Sequence, residues 1–373
     1  MNKQDRLKNL RQRFDKLVTI KFKCRIITPM FLGDAEQKAS LRSAPFKGLL
    51  RYWWRVAAGR KFPSYSDLLK EETKIFGGGG EESKKSLVRV EVEGNPQVVE
   101  DPRIPGVNNV RHPEVIRPVH PLLYLGYGPV IWKKGKGAIY NRSYLNPEDT
   151  FQLILRVPGS LLNNETFKLA LILFRAFGAV GSRSRNGWGS FQVEKIEGCP
   201  HWDENFTERL PKDLPSWKDC FNKSYPHTLA KGDNDKLLLW KIEEFESWEK
   251  AMKFLAEVYI YVRTGVPQRG YKWPKQMRLD ADAQNLIAER HLLGFPLTNH
   301  PARNAGWKRL ASPLHFFIRR GNNNKYLAFI LHLPYFIESA QRFVSQADQI
   351  KLWQKVHQRL DDAMQRASIN DCL

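Results

Sequence analysis

The residues best equipped for chemistry lie between Phe177 and Phe191, in the run Phe-Gly-Ala-Val-Gly-Ser-Arg-Ser-Arg-Asn-Gly-Trp-Gly-Ser-Phe. Gly178, Gly181, Gly187 and Gly189 frame Ser182, Arg183, Ser184, Arg185 and Asn186. Glycine at this density allows positive φ angles and close backbone approach. The arginines bring charge, and the serines and bare amides bring short hydrogen-bond donors. A loop of this make-up suits contact with phosphate. The competing reading is a glycine-rich connection carrying two solvated arginines.

A second basic constellation falls on a helix predicted from Pro45 to Arg60. Phe46, Leu49, Leu50, Trp53, Val56 and Ala57 share one face, while Lys47, Arg51 and Arg55 recur every fourth residue on another, flanked by Trp54. Residues 37–66 hold no Asp or Glu, yet they carry Lys38, Arg42, Lys47, Arg51, Arg55, Arg60 and Lys61. Ordinary solvated faces mix both signs, so this one favours phosphate contact.

Signs of catalysis are sparse. The first histidine is His112, and the nine histidines form neither HExxH nor a close Cys/His cluster. General acid–base work near neutral pH falls most often to histidine. Tyr52 is the nearest substitute in the first hundred residues, and its helical position suits packing equally well. Asp34 and Glu36 are the one carboxylate pair in a basic loop, too few for a metal-dependent nuclease. The Gly-rich loop lacks the Gly-Lys-Ser/Thr ending of a P-loop and follows a helix instead of preceding one. The expectation is no catalytic residue, no bound metal and no cofactor.

Composition supplies the partner class. Lys plus Arg number 60 against 39 Asp plus Glu, a net charge of +21. Such an excess calls for a polyanion. No apolar run has transmembrane length, which argues against a membrane. Four scattered cysteines (Cys24, Cys199, Cys220 and Cys372) without CxxC point to reduced thiols and a cytoplasmic protein.

The elements that must position these residues can be read from periodicity. Residues 1–19 form a short basic helix or arm, and Val18–Thr28 alternates as a strand. The Pro45–Arg60 helix follows, then a helical turn over Ser66–Ile75, a Gly77–Gly80 loop and a strand over Ser86–Val92. Residues 93–146 are a loop-rich insertion. Within it Tyr124, Tyr127, Trp132, Tyr140 and Tyr144 are interleaved with Arg103, Arg111, Arg117, Lys133, Lys134, Lys136 and Arg142. Those rings either stack on unpaired bases or pin the insertion to the core. A strand over Thr150–Val157 leads to an apolar helix capped by Asn163 or Asn164 and ended by Gly178. A strand to Ile196 closes the unit. The order strand-helix-strand-strand-helix-strand is ferredoxin-like. The expected class is therefore α+β, with tandem ferredoxin-like (RRM-like) domains. Residues 1–198 form the first, 199–235 a linker, and 236–373 a degenerate second domain. In the latter, strands at 236–242, 312–319 and 326–333 accompany helices at 248–263 and 346–366.

Several motifs together resemble the RAMP superfamily of CRISPR-associated proteins: Ile27-Thr28-Pro29-Met30-Phe31-Leu32-Gly33, Pro45-Phe46-Lys47-Gly48-Leu49-Leu50-Arg51-Tyr52-Trp53-Trp54-Arg55, Ile75-Phe76-Gly77-Gly78, the arginine-bearing loop and Ala311-Ser312-Pro313-Leu314. Within that superfamily the likeness is to the first subunits of Cmr (type III-B) effector complexes. The resemblance implies tandem ferredoxin-like domains and assembly with other Cmr subunits. It also implies contact with the 3′ part of a guide RNA, with single-stranded target RNA, or with both, and no cleavage. Carried onto this sequence, the RNA-facing residues are Arg42, Lys47, Arg51, Trp54, Arg55, Gly181, Ser182, Arg183, Ser184, Arg185, Asn186 and Gly187. The alternative is a RAMP-type endoribonuclease that processes CRISPR repeat RNA.

Overall fold

The computed structural model describes residues 17–79, 84–198, 214–265, 287–295, 306, 309–321 and 323–373. The basic arm up to residue 16, Gly80, Cys199, and residues 199–213 of the expected linker lie outside the described residues.

Strand β1 (Leu17–Ile26) sets the pattern of the first sheet. Ile20, Phe22, Cys24 and Ile26 are fully buried, while Lys21 and Lys23 face solvent. This period-two alternation is what a sheet with one wet face requires. Helix α1 (Ser43–Ala58) follows, then α2 (Tyr65–Phe76), whose N-cap Ser64 accepts from the Asp67 amide. Strand β2 (Arg89–Glu93) leads into the insertion. The insertion is more ordered than its prolines suggest. Strand β3 (Val98–Val99) pairs with β6 (Tyr144–Leu145), enclosing helix α3 (Pro121–Gly126) and the hairpin of β4 (Val130–Lys133) and β5 (Gly137–Tyr140). Strand β7 (Thr150–Pro158), helix α4 (Glu165–Ala176) and strand β8 (Phe191–Glu197) complete the unit. Asn164 caps α4, its side chain accepting from the Phe167 amide at 3.0 Å.

The first sheet is antiparallel in the order β2-β7-β1-β8. Phe46 of α1 and Phe174 of α4 press onto Phe22, Phe151 and Phe191, with ring centroids 5.2–6.5 Å apart. The second half repeats the scheme with β9 (Leu239–Phe245), α5 (Trp248–Thr264), β10 (Leu314–Arg320), β11 (Tyr326–His332), α6 (Gln346–Ala363) and β12 (Gln365–Arg366). Its sheet runs β10-β11-β9-β12, again antiparallel. The protein is thus a mixed α+β chain with two sheets of one topology. The last helix stops three residues before the expected Arg366, because Gln365 and Arg366 turn into a short fourth strand beside Lys241 and Trp240.

Three buried histidines make the fold sensitive to acid. His332 and His357 share a ring-to-ring hydrogen bond of 2.8 Å, and His315 packs against Tyr52 and Trp53. Burial holds all three well below the ordinary value of 6.5; Arg185 adds to this at His315, His357 and Arg366 at His332, and Arg366 and Lys218 at His357. The unfolded chain therefore binds more protons below pH 6.5. Stability is complete above that pH and falls as the pH drops, by about 1.4 kcal/mol per pH unit for each histidine that titrates only on unfolding. Urea midpoints measured from pH 7.5 down to pH 5 should fall steeply; a flat profile contradicts this account.

Candidate nucleic-acid interface

The loop between α4 and β8 owes its course to its glycines. Gly181 has φ +98°, and a Cβ there would lie 2.7 Å from the Phe31 carbonyl oxygen. Gly187 (φ +91°) and Gly189 (φ +63°) are also left-handed. Gly178 departs from expectation. It is not a left-handed cap; a Cβ there would sit 2.6 Å from the Phe191 ring, so close helix–strand packing requires the glycine.

The loop is a splint between the two sheets. Strand β10 is an edge strand, and its outward amides at every second residue need partners. Phe316 N donates to the Arg185 carbonyl at 2.9 Å, Ile318 N to Ser190 Oγ at 3.1 Å, and Arg320 N to Gln192 Oε1 at 2.9 Å. Arg319 is buried and donates to the Ala176 carbonyl at 2.7 Å, satisfying an end of α4. On the loop's other side, Ser182 N donates to Phe31 O at 3.0 Å and Gly189 N to Pro29 O at 3.0 Å. Trp188 fills the seam, fully buried, between Phe31, Tyr140 and Trp248.

The two arginines of the loop go to different places. Arg185 donates from Nη1 to the Ser312 carbonyl at 2.9 Å, and its guanidinium stands 5.3 Å over the Tyr52 ring. It is half-buried and ties the loop to α1 and to the approach to β10. Arg183 is exposed, with Nε 2.7 Å from the Tyr127 carbonyl. Asn186 Nδ2 donates to the Leu125 carbonyl at 2.9 Å. Ser182 and Ser184 are half-buried, and Gly187 is buried against Met252.

Helix α1 carries its basic face much as its spacing implies, with one acid added. Glu72 of α2 is buried beneath that face. Arg51 Nε donates to Glu72 Oε1 at 2.7 Å, and Arg55 Nε pairs with Oε2 at 3.0 Å. Both guanidiniums remain about one-third exposed. Lys47 has no carboxylate partner among the described residues, and burial together with the charge of Arg51 lowers its pKa. Arg42 is exposed and donates to the Gly33 carbonyl. Trp54 is buried against Phe76, because α2 covers that side of α1; it presents no open ring for a base. The insertion's rings divide into buried and exposed ones. Tyr140 and Tyr144 are pinned against Phe31, whereas Tyr127 and Trp132 are 61% and 63% exposed.

One pairing could not be read from spacing. Tyr52 Oη lies 3.0 Å from His315 Nε2, with the rings stacked 5.6 Å apart. Burial pushes the Tyr52 phenol up and His315 down, so both are neutral near pH 7. Among the described residues no group of three or more His, Cys, Asp and Glu is arranged to hold a metal. No described helix is long and apolar enough to cross a membrane.

Residues 23–192, the segment that holds α1, the insertion and the Gly-rich loop, match the RAMP superfamily. The RAMP match bears out the resemblance drawn from the motifs, and the similar curated proteins carry it further. The CRISPR system Cmr subunit Cmr1-2 of Pyrococcus furiosus is 40% identical over 74 residues, covering 19% of this chain and 39% of that protein. Cmr1-1 of the same organism is 29% identical over 187 residues, covering 49% of each. The chain thus spans about half the length, or less, of the curated relatives it matches. Among solved structures, the apo crystal structure of Cmr1 from Pyrococcus furiosus superposes with a TM-score of 0.42 at 18% identity, over 85% of this chain and 88% of that one. A chain of the type III-B Cmr-beta complex bound to cognate target RNA gives 0.46 at 13% identity, over 91% and 100%.

Proposed function

We propose that this chain is a non-catalytic RNA-binding subunit of a Cmr (type III-B) CRISPR effector complex. It contacts the 3′ part of the guide RNA, the single-stranded target RNA or both, together with neighbouring Cmr subunits in the cytoplasm. The observation that carries the reading is the coincidence of the RAMP match with the basic face of α1. Lys47, Arg51 and Arg55 are presented there, and the Gly-rich loop meets the same helix at Tyr52. The net charge of +21 supports it. Each sheet, with its strand order and its pair of helices, is read as a ferredoxin-like domain. The first spans 1–198 with the insertion 93–146, and the second spans 236–373 after a linker at 199–235.

The Tyr52–His315 pair keeps the endoribonuclease as the second reading, because a phenol and an imidazole in hydrogen-bond contact are a proton donor and acceptor. His315 is only 9% exposed, which favours packing over catalysis. The test is to incubate the purified chain with single-stranded and duplex RNA and to read binding and cleavage in the same tubes. The expected outcome is preferential binding of the single strand, whose bases can stack, and intact RNA. Reproducible cuts that vanish on Tyr52→Phe or His315→Gln would promote the second reading.

A further inference from the structure

The loop's exposed arginine belongs to a cluster that spacing alone does not reveal. Arg183 reaches the carbonyl of Tyr127, just past the end of α3. From the other side, Arg263 at the end of α5 donates to the hydroxyl of Tyr124 on the same helix, 3.4 Å away, and its guanidinium lies 4.1 Å from the centre of the Tyr259 ring. Helix α3 thus gathers two guanidiniums from segments eighty residues apart. Arg309 is exposed on the segment that runs on to Ser312, where Arg185 is anchored. Burial chiefly, and then the charges of Arg309 and Arg263, lower the pKa of Arg183.

Among the described residues this cluster has no counter-ion. Several arginines elsewhere do meet an acid: Arg51 and Arg55 with Glu72, Arg320 with Glu148, Arg366 with Asp361 and Arg290 with Glu114; Arg42, Arg185 and Arg319 are held by backbone carbonyls instead. Glu114 is the one acid between Arg103 and Pro147, and it is engaged by that buried arginine. Among the described residues none of Arg183, Arg263 and Arg309 forms an ion pair, and the enclosed Nε of Arg263 has no hydrogen-bond partner. Like charges gathered without an acid repel one another and favour an anion. Guanidinium forks suit phosphate, and Tyr127, whose carbonyl holds Arg183, has an exposed ring that suits a base.

We propose that Arg183, Arg263 and Arg309 hold a phosphodiester of single-stranded RNA, with the adjoining base stacked on Tyr127. The site rests on the RNA-binding function proposed above and adds Arg263, Arg309 and Tyr127 to the interface.

The experiment measures single-stranded RNA affinity against salt for the full chain. The variants are Arg183→Ala with Arg309→Ala, Tyr127→Ala, Tyr127→Phe, and a charge-matched control, Lys351→Ala with Lys355→Ala, on α6. The double arginine variant should bind about tenfold more weakly, with a salt slope lower by about 0.7 per lost contact, about 1.4 for both. Tyr127→Ala should weaken binding about 5-fold or more, while Tyr127→Phe keeps its affinity. The control should behave as wild type. Thermal melts of each variant, with inorganic phosphate added at constant ionic strength, identify a small-anion site. If phosphate stabilises wild type but not the arginine variant while RNA affinity is unchanged, the ligand is a free anion and the proposal falls. If wild type binds RNA and all variants bind alike, this site is wrong and the broader function stands. If wild type binds no RNA, both fall.

Discussion

Gly189→Val is expected to leave little folded protein. Gly189 sits at φ +63°, where a β-branched residue is strained, and an added Cβ would run into the backbone carbonyl of Val180. That atom cannot swing aside as a flexible side chain would, since Val180 N is itself bonded to Gly189 O at 2.9 Å. The amide of Gly189 meanwhile holds Pro29 O, and its neighbour Trp188 fills the seam between the sheets. Strain, overlap and lost seam packing together reach about 5 kcal/mol or more, comparable with the whole stability of an ordinary domain. Gly48→Ala is the control. It lies in α1 with nothing within 4 Å of the added carbon, and should stabilise by about 0.5–1 kcal/mol. Soluble yield and thermal midpoint check both. A Gly189→Val protein melting within a few degrees of wild type would show that the loop is not a splint.

The second large effect has two signs at once: Glu72→Gln should bind RNA more tightly while folding less stably. The carboxylate is buried under two guanidiniums, and removing its charge leaves Arg51 and Arg55 uncompensated. Because both arginine heads reach solvent, the stability loss is reduced to about 1–3 kcal/mol from the larger cost of a wholly buried pair. The same two charges become available to phosphate, so affinity at low salt should rise about threefold to tenfold. Lys47→Ala, which breaks no ion pair, should weaken RNA binding with little change in melting. Unchanged RNA affinity in both variants would mean that the face of α1 is structural and does not meet RNA.

These contrasts show where sequence reading reaches its limit. Strand β1 was legible because one-sided burial imposes a period of two on Ile20, Phe22, Cys24 and Ile26. The cap of α4 was narrowed to Asn163 or Asn164, of which Asn164 takes the role, and the apolar face of α1 was legible from its own helical period. Glu72 was not, since a helix's own sequence reports only its own charges, and the neutralising acid comes from the next helix, beyond the acid-free window. Trp54 was read as flanking a basic face because the covering helix cannot be inferred from the periodicity of α1. The anchoring of Arg185 on Ser312, the contact of Tyr52 with His315 and the meeting of Arg183 with Arg263 on one helix join residues far apart in the chain. Spacing carries no information about such pairs. The acid-poor composition of residues 103–147 was the one available hint that α3 would offer no acid to the arginines gathered on it.

The central claim is that this chain holds RNA through a set of phosphate contacts. Its most direct measurement is the dissociation constant for single-stranded RNA between about 50 mM and about 200 mM salt. The account predicts a straight fall of log affinity with log salt whose slope corresponds to several phosphate contacts, about 0.7 per contact for a single strand. An affinity that stays flat across that range, or no measurable binding at its lower end, would contradict it.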